Sequence, residues 1–269
     1  MYYNISKTFL ITDLDGTLLP HSKELSEIDL RAIEKFRNAG GKFSIATGRI
    51  VQTAKKYFEQ LKIDVPVILC NGGMIYDPVQ KKILRTRIID SKARQYLKEI
   101  MDEFPEAGVE VDIDDKVYVI HMNEYEQHHI NFTGISFEKQ ELDALPDGWA
   151  KVLFSMDNCD IDKFTSFIES RNYKDVLFVT SGSIFCEMLP ADCSKGAALR
   201  EIAENMGYSD YTVFAAGDYD NDIEMIKYAD VGAAPANSLD KVKEIADIVT
   251  KASCEEGVIA EVIDYIFNK

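Results

Sequence analysis

The sequence predicts an α/β chain in which a doubly wound parallel sheet is interrupted by an inserted α+β domain. Three observations carry that expectation. Short β-branched and aromatic runs alternate with amphipathic segments at the spacing of right-handed βαβ units. The alternation gives way to hairpins near residue 74, and it resumes after Pro190.

The first run, Thr8-Phe9-Leu10-Ile11, has the composition of a buried strand and leads into Asp13. Ser26 followed by Asp29 is a capping-box-like start, and Leu30, Ile33 and Phe36 recur at helical spacing until Gly40-Gly41. Lys42 to Thr47 is a second strand ending at Gly48, Val51, Ala54, Phe58 and Leu61 mark a second amphipathic helix, and Val65 to Leu69 is a third strand ending at Asn71-Gly72-Gly73. Met74-Ile75-Tyr76 and Ile83 to Ile89 flank an Asp77-Pro78 turn and predict a hairpin, near which a second domain begins. That domain is expected to hold a helix around Ala93 to Met101 and a hairpin of Val109–Ile113 with Val117–His121. A strand at Val152–Met156, a helix at Phe164–Ile168 and strands near Val176–Thr180 and Ile184–Leu189 complete it. Ser194 then caps a helix through Met206, Tyr211 to Ala216 is a strand, and alternation continues through Val231 and Ile248-Val249 to a closing helix. The expected division is 1–84 with 190–269 as one discontinuous domain and 85–189 as the insert.

Composition limits the function. A formal charge of −16 argues against nucleic acid as a partner, because a phosphate backbone is held by clustered Lys and Arg. No apolar run approaches the roughly 18 residues that span a bilayer, and Met1-Tyr2-Tyr3-Asn4 lacks a basic-then-apolar leader, so no membrane partner and a cytoplasmic location are expected. The five cysteines form no C-x-x-C pair and are expected as reduced, mostly buried thiols.

Chemistry concentrates where apolar runs stop. Asp13 and Asp15 stand two apart at the end of the first strand, where open α/β sheets bind ligands, and carboxylates so crowded repel unless a cation or proton intervenes. Taken alone, the pair is also what a polar strand end with a capping Asp looks like. Gly217-Asp218 to Asp222 repeats the pattern after a later strand. If the two strands are neighbours, Asp13, Asp15, Asp218 and Asp222 form a hard-oxygen set suited to Mg²⁺; otherwise the later segment is an ordinary acidic helix N-terminus. Lys195 in the first turn of a helix opposes the helix dipole and requires a negative partner, a phosphate or the carboxylates, unless it is simply solvated. Thr47-Gly48-Arg49 offers a hydroxyl, helix-start amides and a guanidinium, a set that fits a phosphate cradle and equally an ordinary Thr cap. His128-His129 lies in a polar stretch that reads as a solvated helix face. P-loop, G-x-G-x-x-G, G-x-S-x-G and H-E-x-x-H patterns are absent.

Taken in chain order, the four segments resemble the haloacid dehalogenase superfamily of aspartyl-phosphate enzymes. Asp13-Leu14-Asp15-Gly16-Thr17 matches its first motif, Thr47 its second, Lys195 its third, and Gly217-Asp218 with Asn221-Asp222 its fourth. Ala46-Thr47-Gly48-Arg49, Asn71-Gly72-Gly73, Ser194 to Leu199 and the large insert are similar to the Cof-type subfamily (IIB) with a C2 cap, over nearly the whole chain. Thr12 departs from the aromatic residue usual before the first Asp, and Ala191-Asp192-Cys193 from a glycine-containing approach to the lysine.

The resemblance implies a phosphatase acting on small phosphate monoesters, chiefly hexose or pentose phosphates and then phosphorylated cofactors. Asp13 would be the nucleophile and Asp15 the proton shuttle. Asp13, the Asp15 main-chain carbonyl and Asp218 would hold Mg²⁺, with Asp222 orienting a metal-bound water. Thr47 and Lys195 would hold phosphoryl oxygens, supported by Asn221, while Gly48, Arg49, Asn71 and Gly72 line the substrate site. The insert would act as a lid, for which Tyr118, Tyr125, Glu124 and Glu187 are available, and the chain would be a monomer or weak homodimer. A phosphomutase or phosphotransferase would use the same nucleophile. A phosphate-responsive regulatory protein would accept phosphate on Asp13 without turnover and would have no need of Asp15.

Overall fold

The computed structural model describes residues 3–180 and 183–269; Met1 and Tyr2, which open the segment lacking a leader pattern, lie outside the described residues. The chain divides into two compact units, one of Met1–Arg49, Ala54–Arg85 and Ser194–Lys269, the other of Ile50–Thr53 and Thr86–Cys193.

In the first unit, strand β1 (Thr8–Asp13) is buried at every residue, as a parallel strand covered on both faces must be. Helix α1 (Glu27–Asn38) starts where the Ser26 side chain accepts the Asp29 amide, and it buries Ile33 and Phe36. Strand β2 (Lys42–Ala46), helix α2 (Val51–Gln60), of which the part from Ala54 on belongs to this unit, and strand β3 (Val67–Leu69) follow. The expected hairpin is β4 (Met74–Asp77) with β5 (Lys82–Thr86), turned by the Asp77 carboxylate accepting the Val79 and Gln80 amides. Its second strand ends at Thr86 rather than Ile89, because the Ile89 amide donates instead to the Trp149 carbonyl.

The second unit contains α3 (Ala93–Glu103), β6 (Gly108–Ile113), β7 (Lys116–His121), α4 (Glu124–Thr133), β8 (Phe137–Lys139), β9 (Trp149–Ser155), α5 (Asn158–Arg171), β10 (Val176–Thr180) and β11 (Phe185–Pro190). Its sheet runs β10-β11-β9-β6-β7-β8 and is antiparallel except at β7–β8. Leu97 and Ile100 of α3 and Ile161, Phe164 and Ile168 of α5 share one core with Val109, Val111, Val152, Phe154 and Met188. By the two-residue period of strands, Glu110, Asp112, Lys151, Ser155 and Glu187 point to the other face. Helix α4 carries the stretch that reads as a solvated helix face: it is mostly polar, and His128 on it is exposed while the His129 ring packs edge-on against Phe185; strand β8 has only three residues in which to show a period.

The chain returns to the first unit through α6 (Lys195–Asn205), β12 (Thr212–Ala216), α7 (Ile223–Tyr228), β13 (Val231–Ala234), α8 (Asp240–Lys243), β14 (Ile248–Val249) and α9 (Val258–Asn268). The sheet of this unit runs β14-β13-β12-β1-β2-β3-β4-β5, parallel from β14 to β3, with β4 antiparallel to β3. Connections proceed outward in opposite directions on the two sides of β1, so the crevice of a doubly wound sheet opens at the C-terminal ends of β1, β2 and β12. Among the described residues no helix is long and apolar enough to cross a membrane. Cys70, Cys186, Cys193 and Cys254 are buried and Cys159 is exposed.

Candidate active site

Asp13 is the last residue of β1, and β1 lies between β12 and β2. The loop after it closes on itself, with the Leu19 amide on the Leu14 carbonyl and the Gly16 amide on the Leu19 carbonyl. Gly16 has φ +91, and a Cβ there would stand 2.6 Å from an Asp218 carboxylate oxygen. Glycine is required twice over, for the left-handed backbone and for the approach of Asp218. Thr17, buried in the same loop, donates its hydroxyl to Asp218 Oδ1 at 2.7 Å, and the Asn237 amide nitrogen donates to the Gly16 carbonyl at 2.8 Å.

Asp222 accepts the Asp218 and Tyr219 amides on Oδ2 at 3.0 and 3.1 Å, which folds the loop after β12 around a fully buried carboxylate. Its other oxygen accepts from Lys195 Nζ at 2.7 Å, and Lys195 also donates to Asp13 Oδ1 at 2.5 Å. Of the partners open to Lys195 in the sequence, the carboxylates hold it here. Ser194 starts α6 by accepting the Ala197 amide, and Gly196 lets the helix approach α7, since a Cβ there would lie 2.6 Å from the Glu224 backbone.

Asp13, Asp218 and Asp222 each offer a carboxylate oxygen, and these oxygens lie within 4.8 Å of one another. Burial pushes the Asp13 carboxyl well above the usual carboxylate range against the pull of Lys195, and the charges of Asp222, Asp218 and Asp15 push the same way. Burial and Asp222 bring Asp218 to about 6. For Lys195, burial acts to lower the ammonium, but Asp13 and Asp222 outweigh it and the net shift is upward. One lysine therefore leaves the carboxylates short of positive charge. A set of hard oxygens with no His or Cys among them, crowded enough to favour protonation, fits a magnesium-like cation.

At the end of β2, Thr47 is buried, and its hydroxyl accepts the Arg49 amide at 3.2 Å. Its carbonyl accepts the amide of Asn71, whose side chain accepts from Asn221 Nδ2 at 2.9 Å. Asn71 has φ 54 and Gly72 φ +99, and a Cβ on Gly72 would collide with the Ser194 carbonyl at the start of α6. Gly48 faces the Asn71 side chain, with room for a Cβ only at 3.0 Å. The structure thus brings Thr47, Gly48 and Asn221 around Asn71, while Gly72 faces the start of α6.

Asp15 stands apart from the three-carboxylate cluster. Its oxygens accept from Arg49 Nε and Nη2, both at 2.7 Å, and from Lys23 Nζ at 2.8 Å. Burial would raise this carboxyl, but Arg49 and Lys23 outweigh it and hold it at about 2. The Arg49 guanidinium, expected to face a phosphate, is engaged with Asp15 and lies 5.1 Å from the Tyr57 ring centre. Lys23, which the sequence did not single out, adopts φ 60, a conformation costing an L-residue about 1–2 kcal/mol. Its carbonyl accepts from the Tyr57 hydroxyl at 3.1 Å. Nothing in a loop lysine and a helical tyrosine 34 positions apart announces such a contact.

In the second unit, Tyr118 belongs to the apolar core and the Tyr125 hydroxyl donates to Asp157 at 2.5 Å. Glu124 is exposed in the first turn of α4, and Glu187 is buried on the polar face of the sheet.

A parallel sheet with carboxylates and a threonine at three strand ends, and a lysine at a helix start joining two of the carboxylates, places the site in a protein of the doubly wound α/β class. Residues 10–263 match the family model of the haloacid dehalogenase-like hydrolases, and the chain belongs to that family. It is 26% identical over 266 residues to the 5-amino-6-(5-phospho-D-ribitylamino)uracil phosphatase YitU of Bacillus subtilis, covering 97% of this chain and 98% of the relative. It is 28% identical over 255 residues to the pyridoxal phosphate phosphatase YbhA of Escherichia coli, covering 88% and 90%. A crystal structure of a haloacid dehalogenase-like hydrolase from Bacteroides thetaiotaomicron has the same fold, with a TM-score of 0.85 at 24% identity over 97% of this chain and 99% of that one.

Proposed function

We propose that this chain is a Mg²⁺-dependent phosphoric monoester hydrolase that acts on small phosphate esters, sugar phosphates first among them, through an aspartyl-phosphate on Asp13. The observation that carries the reading is the Asp13–Lys195–Asp222 chain of contacts at 2.5 and 2.7 Å, with Asp218 beside it. A nucleophilic carboxylate has to be aimed while its charge is balanced, and Lys195 does both. The relatives named above act on a ribityl phosphate and on pyridoxal phosphate, both small monoesters.

Asp13 attacks phosphorus, the bond to the leaving oxygen breaks, and Asp15, ionised at rest by Arg49 and Lys23, gives that oxygen a proton it has taken up from solvent; Asp15 then takes a proton from the water that opens the aspartyl-phosphate. Thr47 and Lys195 hold phosphoryl oxygens, with Asn221 and Asn71 steadying the turn beside them. Arg49, Gly48 and Gly72 complete the substrate surface. Asp13, Asp218 and the Asp15 carbonyl would hold Mg²⁺, with Asp222 behind them. Bound there, it would neutralise phosphate oxygens so that an anionic nucleophile can approach an anionic ester. Residues 1–84 and 190–269 are the catalytic core in this reading, and 85–189 a cap that excludes water and reads the leaving group.

The test is phosphate release from a panel of sugar and cofactor monoesters with and without Mg²⁺, together with thermal melting. Expected outcomes are Mg²⁺-dependent release and a Mg²⁺-induced rise in melting temperature that Asp218→Asn removes. Absence of release across the panel would sink the reading.

A further inference from the structure

We infer that Tyr57 is a positioning residue for the leaving-group acid: it braces both cations that hold the Asp15 carboxylate, and so sets where Asp15 can deliver a proton. The inference rests on the phosphatase reading above and deepens it. Tyr57 lies in α2 with only 2% of its surface exposed, yet it makes polar and electrostatic contacts that a core leucine could not.

Its ring lies beneath the Arg49 guanidinium, with 5.1 Å between the guanidinium carbon and the ring centre. Stacking of this kind fixes the plane of a guanidinium and thereby the direction of its fork. Arg49 meets Asp15 through two parallel bonds of 2.7 Å, so a tilt of the guanidinium moves the carboxylate with it. The Tyr57 hydroxyl donates to the carbonyl of Lys23 at 3.1 Å. Lys23 is one of the few non-glycine residues with positive φ, and its ammonium reaches Asp15 Oδ1 at 2.8 Å. A flexible lysine in a strained backbone conformation needs an anchor if its side chain is to serve one carboxylate reproducibly. The tyrosine supplies it, and a single side chain thus governs both arms of the clamp.

Asp15 acts in the first displacement: the P–O bond breaks, the electron pair stays on the leaving oxygen, and that oxygen takes a proton that Asp15 has first drawn from solvent against the two cations that hold it. An alkoxide leaving group depends on that proton; p-nitrophenolate, a stable anion, hardly does. Misplacing the acid therefore slows alkyl phosphates selectively, whereas general damage to the site slows both esters alike.

The experiment compares kcat/KM for a sugar phosphate and for p-nitrophenyl phosphate in wild type, Tyr57→Phe and Tyr57→Leu. Because kcat/KM reports events through the first displacement, it isolates the step in which Asp15 is the acid. Tyr57→Leu is expected to lower the sugar-phosphate value about 10–10²-fold, a part of the 10²–10⁴ that a general acid contributes, with a much smaller loss on p-nitrophenyl phosphate. Tyr57→Phe keeps the stacked ring and loses the hydroxyl, so it should move the ratio in the same direction by less. If Tyr57→Leu fails to fold, Tyr57→Phe decides. An unchanged ratio in the folded variants overturns the inference even where both rates fall. Wild type that releases phosphate from neither ester overturns the phosphatase reading itself, an outcome distinct from an unchanged ratio.

Discussion

Each unit of this protein buries a group of carboxylates around one lysine, and the two groups are solved differently. In the first unit Lys195 is shared between Asp13 and Asp222, Asp222 takes two backbone amides, and Asp218 takes the Thr17 hydroxyl. In the second unit Lys151 lies 3.2 Å from Asp112, and Ser155 donates to Glu126 at 2.9 Å. Asp112 Oδ2 meets Lys151 only as that ion pair, and Asp112 Oδ1, one oxygen of Glu110 and one of Glu126 have no hydrogen-bond partner among the described residues. The difference follows from position. Asp13 ends a strand, and Asp218 and Asp222 follow one, where amides have left the ladder and can turn to a side chain. Glu110 and Asp112 sit inside β6, whose register is paired on both sides by β7 and β9, so neighbouring amides are already bonded. A strand end can neutralise a buried acid with its own backbone; a strand interior cannot.

Replacing Asp13, the proposed nucleophile, should break the first cluster's function without breaking its fold. Asp13→Asn is expected to lose at least about 10³-fold in turnover while circular dichroism stays native, as nucleophile removal does in other hydrolases. Full activity in that variant ends the assignment of Asp13.

The two lysines compare the clusters directly. Lys195→Met and Lys151→Met each strand buried carboxylates, and urea unfolding should register losses of about 3–5 kcal/mol for the fully enclosed Lys195 and a comparable or smaller loss for Lys151. Only Lys195→Met should also depress turnover, by about 10²–10³-fold, the range for losing one oxyanion donor. Equal effects of both on catalysis would erase the distinction.

The smallest effect tests the unpaired oxygens. Burial pushes Glu110 well above the usual carboxylate range, and Asp112 and Glu126 push the same way. The folded state then binds more protons than the unfolded one above the ordinary value of 4.5, so stability falls as pH rises through that window. Glu110→Gln should melt a few degrees above wild type near pH 7, with the gain fading below about pH 4.5. A pH-independent difference would show that the carboxyl is not held against its charge.

Much of the candidate site's frame was legible in the residues. The burial of β1, the cap of α1 at Ser26, the three strand ends and the four acidic, hydroxyl and lysine segments all follow from local period and turn chemistry. Less legible were contacts that local pattern does not encode. Asp29, expected only as part of a cap, also accepts the Ala260 amide at the start of α9 from 231 positions away. Helix α4 has too weak an apolar face to stand out, and the placement of Lys23 and Tyr57 on Asp15 and Arg49 required the folded loop.

By itself the sequence determined which groups were available and where each strand stopped, because periodicity, glycine and capping act over a few residues. It also pointed Lys195 to a negative partner unless solvent surrounded it, since a cation in a helix's first turn opposes the dipole. Only the tertiary structure chose that partner. Placing β1 beside β12 brings Asp13 and Asp222 to a lysine 182 and 27 positions away, and that choice belongs to strand order, which no local rule contains.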